Sequence, residues 1–105
     1  MDGNFDYKLL KIKLLNELSG PVSRIIELAE GFGGQSRYAA SILFSIYEPE
    51  KYKMSSSEFS SLDCIYIDDA IKIFEIAVRT RVFIFDAIED GEQRVINLLN
   101  RYELN

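Results

Sequence analysis

An all-α fold, a compact bundle of about five helices in a single domain over residues 1–105, follows from three observations. Apolar residues recur at steps of three and four along most of the chain, which is the spacing of a helix face and not the alternation of a strand. Gly20-Pro21, the glycines at 31, 33 and 34, and Glu48-Pro49 punctuate that pattern, and these residue types stop or restart helices. The 105 residues are 48% hydrophobic, enough for one core without disulfide or metal staples and too few for two domains.

From about Asp6 to Leu18, Tyr7, Leu10, Leu14 and Leu18 fall at helical spacing, while Leu9, Ile12 and Leu15 occupy other faces. A helix apolar around more than half its girth is predicted to be sandwiched between others, with sharing by a second subunit as the alternative. Gly20-Pro21 is expected to end it and restart the chain as a second helix, proline being harmless in a first turn. Ile25, Leu28 and Ala29 form the inner stripe of that second helix. The glycines from 31 end it, since glycine reaches a left-handed conformation most easily. Ser36 to Tyr47 reads as a third helix with Ala39, Ala40, Leu43, Ile46 and Tyr47 inward, stopped by Glu48-Pro49. Ser55 and Glu58 have capping-box spacing, which predicts a short extra helical turn near residues 57–62 around Phe59 and Leu62.

The fourth helix shows the clearest period. Cys64, Ile67, Ile71, Phe74 and Val78 line one side of about five turns, widened by Ile65, Ile73 and Ile76. It is expected to run through the middle of the domain, with Cys64 a small buried thiol. Val82-Phe83-Ile84-Phe85 has strand composition but no second strand to pair with, so it reads as an extended apolar connector. Asp90 and Gln93 begin a last helix whose Val95, Leu98, Leu99 and Tyr102 dock inward.

The chain has no histidine, so the commonest general base, the commonest metal ligand and the usual nucleophile triads are missing. No catalytic residue, metal ligand or cofactor is therefore assigned. Asp63, Asp68 and Asp69 form the densest carboxylate cluster and carry the enzyme alternative. The solvated first turn of a helix is the simpler account of them, with Asp63 near the positive dipole end. Asp86, Glu89, Asp90 and Glu92 make an acidic lead into the last helix that resembles no calcium loop. A formal charge of −5 disfavours broad binding to nucleic acid or to anionic membranes. The acidic start Met1-Asp2-Gly3-Asn4-Phe5-Asp6 does not read as a signal peptide, and no apolar run reaches the roughly 18 residues that span a bilayer. With one cysteine, a reducing cytoplasmic setting is expected.

Gly31 to Arg37 is where backbone, polar and cationic groups converge. A phosphate cradle at Gly33 and Gly34 would need the lysine and the preceding strand that are absent here. Leu28-Ala29, Gly33 and Ile42 stand at helix-turn-helix spacing, which makes residues 33–43 a candidate DNA reader with Arg37 as its one cation. The structural expectations are that Ser36 caps the third helix, that Gln35 satisfies backbone groups at the turn, and that Arg37 pairs with Asp63 or Asp69. Gln35, Ser36, Arg37, Asp63, Asp68 and Asp69 together form the polar cluster assigned to partner binding or to structure.

Gly34-Gln35-Ser36-Arg37 leading into an apolar helix, then Phe59-Ser60-Ser61-Leu62-Asp63, then Ile67-Asp68-Asp69-Ala70, resembles an uncharacterised family of small helical proteins encoded on bacterial plasmids and phages. The resemblance covers about residues 22–102; the first helix is an addition, and the tryptophans usual in that family are missing. It implies an accessory protein of a mobile element. The function expected is a non-catalytic inhibitor or adaptor of the anti-CRISPR kind that occludes a surface of a host or defence protein. Helix one and Val82 to Phe85 carry more apolar surface than a five-helix monomer covers, which leaves a homodimer open beside a monomer.

Overall fold

The computed structural model describes residues 3–103, with side chains from Tyr7 onward; the acidic start at Met1 and Asp2 lies outside them. The elements are α1 (Gly3–Glu30), α2 (Ser36–Tyr47), the short α3 (Ser56–Ser60), α4 (Cys64–Thr80), a 3-10 turn (Ile84–Ala87) and α5 (Gly91–Glu103). The all-helical expectation holds, with five α-helices and no strand among the described residues. The predicted boundaries of the third and fourth helices match α2 and α4 closely, and the capping box at Ser55 and Glu58 is made in full.

The expected break at Gly20-Pro21 does not occur. Pro21 sits inside one 28-residue helix, where it leaves the Glu17 carbonyl without its amide donor, at about 3 kcal/mol. Leu18, Val22, Ile25 and Ile26 on either side are fully buried, and each contributes about 1.5–3 kcal/mol. Packing therefore outweighs the lost hydrogen bond, and α1 continues through its proline.

α1 is the spine against which α2, α4 and the 3-10 turn pack. Leu18 to Ala29 join Ala39, Ala40, Leu43, Ile73, Ile84, Phe85, Val95 and Leu98 in the main core. The sandwich expected around the first helix exists only for this second half. Tyr7, Leu9, Leu10 and Ile12 are each about half exposed, and Lys8, Lys11 and Lys13 stand among them. The first half of α1 thus projects as an arm, consistent with molecular extents of 51 × 27 × 24 Å.

α4 is also turned relative to expectation. Its buried residues are Asp69, Ala70, Ile73 and Ile76, whereas Cys64, Ile65, Ile71 and Val78 face solvent. The inward face is centred about 140° around the helix from Cys64, Ile67, Ile71, Phe74 and Val78, and of the expected residues it buries Ile73 and Ile76, which widen that stripe. α4 accordingly flanks α1 instead of running through the centre, and Cys64 is an exposed thiol. Ile67 and Phe74 are half-buried over a smaller cluster with Ile42, Leu62, Ala70, Met54 and Phe59.

After α4, Arg81 adopts a left-handed conformation with φ 58°. Phe83 is extended as expected, but Ile84 and Phe85 then enter the 3-10 turn and the core. α5 begins at Gly91, one residue after a left-handed Asp90, and buries Val95, Leu98 and Leu99.

Candidate functional site

The turn from Gly31 to Gln35 is closed by its own serine. Ser36 is buried; its Oγ accepts from the Gly33 amide at 3.1 Å, and its amide donates to the Gly33 carbonyl at 3.2 Å. Ser36 is thus the first residue of α2 and not its cap; the capping position belongs to Gln35, whose side chain makes no cap bond. Gln35 Oε1 instead accepts from the Asp63 amide at 2.7 Å, joining the turn to the start of α4. No described glycine has a positive φ, and a Cβ on Gly33 or Gly34 would meet nothing within 4 Å. The glycine-rich stretch is not demanded by backbone conformation or by space.

Arg37 pairs with neither Asp63 nor Asp69. It is exposed at the rim of a cleft of about 450 Å³ shared with Ala40, Ser41, Phe44, Tyr52 and Tyr102. Asp69 is taken by Arg24, whose Nε and Nη2 donate to its two carboxylate oxygens at 2.7 and 2.8 Å. This two-pronged pair fixes α4 on α1 and explains why a carboxylate occupies the inner face. Donating to Asp69 raises the Arg24 pKa. Asp63 holds the capping position of α4 with no side-chain cap bond, and Asp68 faces solvent. Among the described residues no three ligand-type side chains gather as a metal site would require.

The C-terminus of α1 is completed by α5. Arg94 donates to both Glu30 oxygens at 2.9 and 2.6 Å, and this bond holds the Glu30 carboxyl below its ordinary value. Arg101 donates to the carbonyls of Ala29, Glu30 and Gly31, groups that a helix end leaves without partners. Its guanidinium also lies 4.2 Å from the ring centre of Phe32, a side chain 92% exposed. Arg94 and Arg101 are seven residues apart, two turns along one face; that spacing was the available signal for them. Arg24 carried none.

Two apolar surfaces stand uncovered. The outer face of α4 makes a shallow groove from Phe59, Ile71, Phe74 and Val78, edged by Glu75 and Arg79. The arm offers Tyr7, Leu9, Leu10 and Ile12, and residues 7–15 carry three lysines and no acid. Ser36 and Gln35 are held by bonds at the turn and to α4, and the exposed Arg37 acts by its charge on Glu58. No described helix is long and apolar enough to cross a membrane.

Residues 21–103 match the model of a family of unknown function. No curated protein and no solved structure matches the chain.

Proposed function

The chain belongs to DUF7673, a family of unknown function, and on that footing we propose that it is a non-catalytic protein-binding accessory protein of a bacterial mobile element. It works in the cytoplasm of the host by occluding a surface of a host or defence protein, in the manner of an anti-CRISPR factor. The observation that carries this reading is the arm: four large apolar side chains, each about half exposed, on one projecting helix. Leaving such surface in water forfeits about 25 cal/mol per Å² that a partner recovers, and patches of this kind mark interaction sites.

Two further observations favour binding over chemistry. Asp69, the one buried carboxylate of the cluster, is consumed by Arg24, while Asp63 and Asp68 stand exposed with no pocket between them among the described residues. α2, the helix that would read DNA, buries Ala39, Ala40, Ile42, Leu43 and Phe44 and exposes the single cation Arg37; a reader needs several side chains free for the groove.

The full chain and a Leu9→Asp, Leu10→Lys, Ile12→Asp variant, immobilised side by side, test the reading against bacterial lysate. A discrete partner retained by the first and lost by the second is expected. A chain that retains nothing but turns over a nucleic acid or a small molecule would refute it. The same arm brings self-association within this reading.

A further inference from the structure

We propose that the arm is covered by a second copy of this chain, in a two-fold dimer in which the basic tip of each α1 lies against the acidic turn at residues 86–92 of the other copy. The inference rests on the protein-binding reading above and names the surface and the occupant.

Charge selects the occupant. Residues 7–15 bear Lys8, Lys11 and Lys13 without an acid, whereas residues 86–92 bear Asp86, Glu89, Asp90 and Glu92 without a base. All four acids are exposed, and Phe83 beside them is a partly exposed aromatic ring. Pairing arm to arm alone would set lysines against lysines, an arrangement that is repulsive on neighbouring helices. Laying the tip on the acidic turn removes that repulsion and gives the apolar residues Phe83 to pack on.

Geometry permits the exchange. α2 returns along α1 after the turn at 31–35, so its last residue, Tyr47, lies back toward the arm. Tyr47 packs on Phe83 and Phe85 and donates to Glu92 Oε2 at 2.8 Å. The 3-10 turn that leads into it packs on α1, and Arg94, two residues past Glu92, reaches Glu30, so the acidic turn lies beside the body half of α1. Two α1 helices side by side and antiparallel lay each tip along the body half of the other, where that turn lies. Such an interface is isologous and closes on itself.

The area suffices. Four half-exposed side chains offer on the order of 100 Å² each, so two arms and the surfaces they cover come to about 1,600 Å² in total, the size of a stable interface.

Light scattering on the full chain is the test, with Lys8→Glu, Lys11→Glu, Lys13→Glu as one variant and Asp86→Lys, Glu89→Lys, Glu92→Lys as another. Circular dichroism on each variant verifies that it folds. The unaltered chain is expected to be a dimer that weakens in about 1 M salt, where charges are screened beyond about 3 Å. Each variant alone is expected to dimerise at least about tenfold more weakly, and an equimolar mixture of the two to restore the dimer, because both contacts then pair opposite charges. A monomeric unaltered chain, a dimer indifferent to either swap, or a mixture of folded variants that stays monomeric would overturn the proposal. A monomer that still captures a lysate protein through Leu9, Leu10 and Ile12 overturns only the dimer. A dimer whose arm captures nothing else overturns only the heterologous partner.

Discussion

Replacing Arg24 by alanine is expected to damage this protein far more than replacing Asp69, although the two residues share one interaction. The Asp69 side chain is 7% exposed and the Arg24 side chain 48%. Without Arg24, the carboxylate loses both of its guanidinium donors and stays against α1 with little water to replace them, a situation that costs about 3–5 kcal/mol. Without Asp69, the guanidinium turns to solvent and only the net worth of the bond and some packing are lost, about 1–2 kcal/mol. The double variant should resemble Asp69→Ala, since no charge is then stranded. For a domain of this size Arg24→Ala corresponds to a fall in Tm of at least about 12 °C. Urea unfolding followed by circular dichroism, run on both single variants and the double one, measures these differences and their coupling. If Asp69→Ala costs as much as Arg24→Ala, or if the double variant is the least stable of the three, the assignment of the pair as the tie between α1 and α4 is refuted.

Three further outcomes are expected. A Cβ on Gly91 would lie 2.2 Å from the Phe85 carbonyl oxygen, so Gly91→Ala should destabilise by about 1–3 kcal/mol, while Gly33→Ala and Gly34→Ala should be neutral or stabilising by about 0.4–1 kcal/mol; chemical melts of the three variants decide this. The carboxyls of Glu30, Glu58 and Glu103 are held below their ordinary 4.5 by bonds from Arg94, from the Ser55 amide and from the Tyr52 hydroxyl. Groups lowered in the folded state contribute stability that is complete above that value and lost as pH falls through the folded one; melts should therefore be level from neutrality to about 4.5 and decline below, less steeply in Glu30→Gln. Cys64, exposed at the start of α4, should react with a thiol reagent in the native protein at the rate of an accessible cysteine; reaction only on unfolding would place α4 in the rotation its sequence period suggests.

That rotation shows where sequence reading succeeds and where it stops. Boundaries set by local chemistry were legible: the Ser55 to Glu58 capping box is satisfied within its own four residues, and Glu48-Pro49 ends α2 where expected. The facing of α4 was not, because it depends on Arg24, 45 residues away, taking Asp69 inward; a periodicity that scores every carboxylate as outward turns the helix the wrong way. Pro21 was misread for a related reason, since the buried neighbours that override it become neighbours of the core only in the fold. At the candidate site, Gln35 is expected to satisfy backbone groups of its own turn, whereas its Oε1 accepts from the amide of Asp63 at the start of another helix. Arg101 completes a helix end 70 residues away; its spacing from Arg94 announces a shared face but not the carbonyls that face meets. Nor did the glycine-rich turn carry the steric demand its composition suggested; Gly91 does, through a carbonyl whose position only the folded chain sets.

The central claim is that the projecting half of α1 is a contact surface for protein. A photoreactive phenylalanine analogue at Ile12, set against the same analogue at exposed Asn97, tests it most directly in growing bacteria. Irradiation is expected to give discrete protein adducts from position 12, at twice the chain's mass for a second copy or at another mass for a host protein, and none from position 97. Position 12 giving no adduct, or the same diffuse background as position 97, would contradict the account.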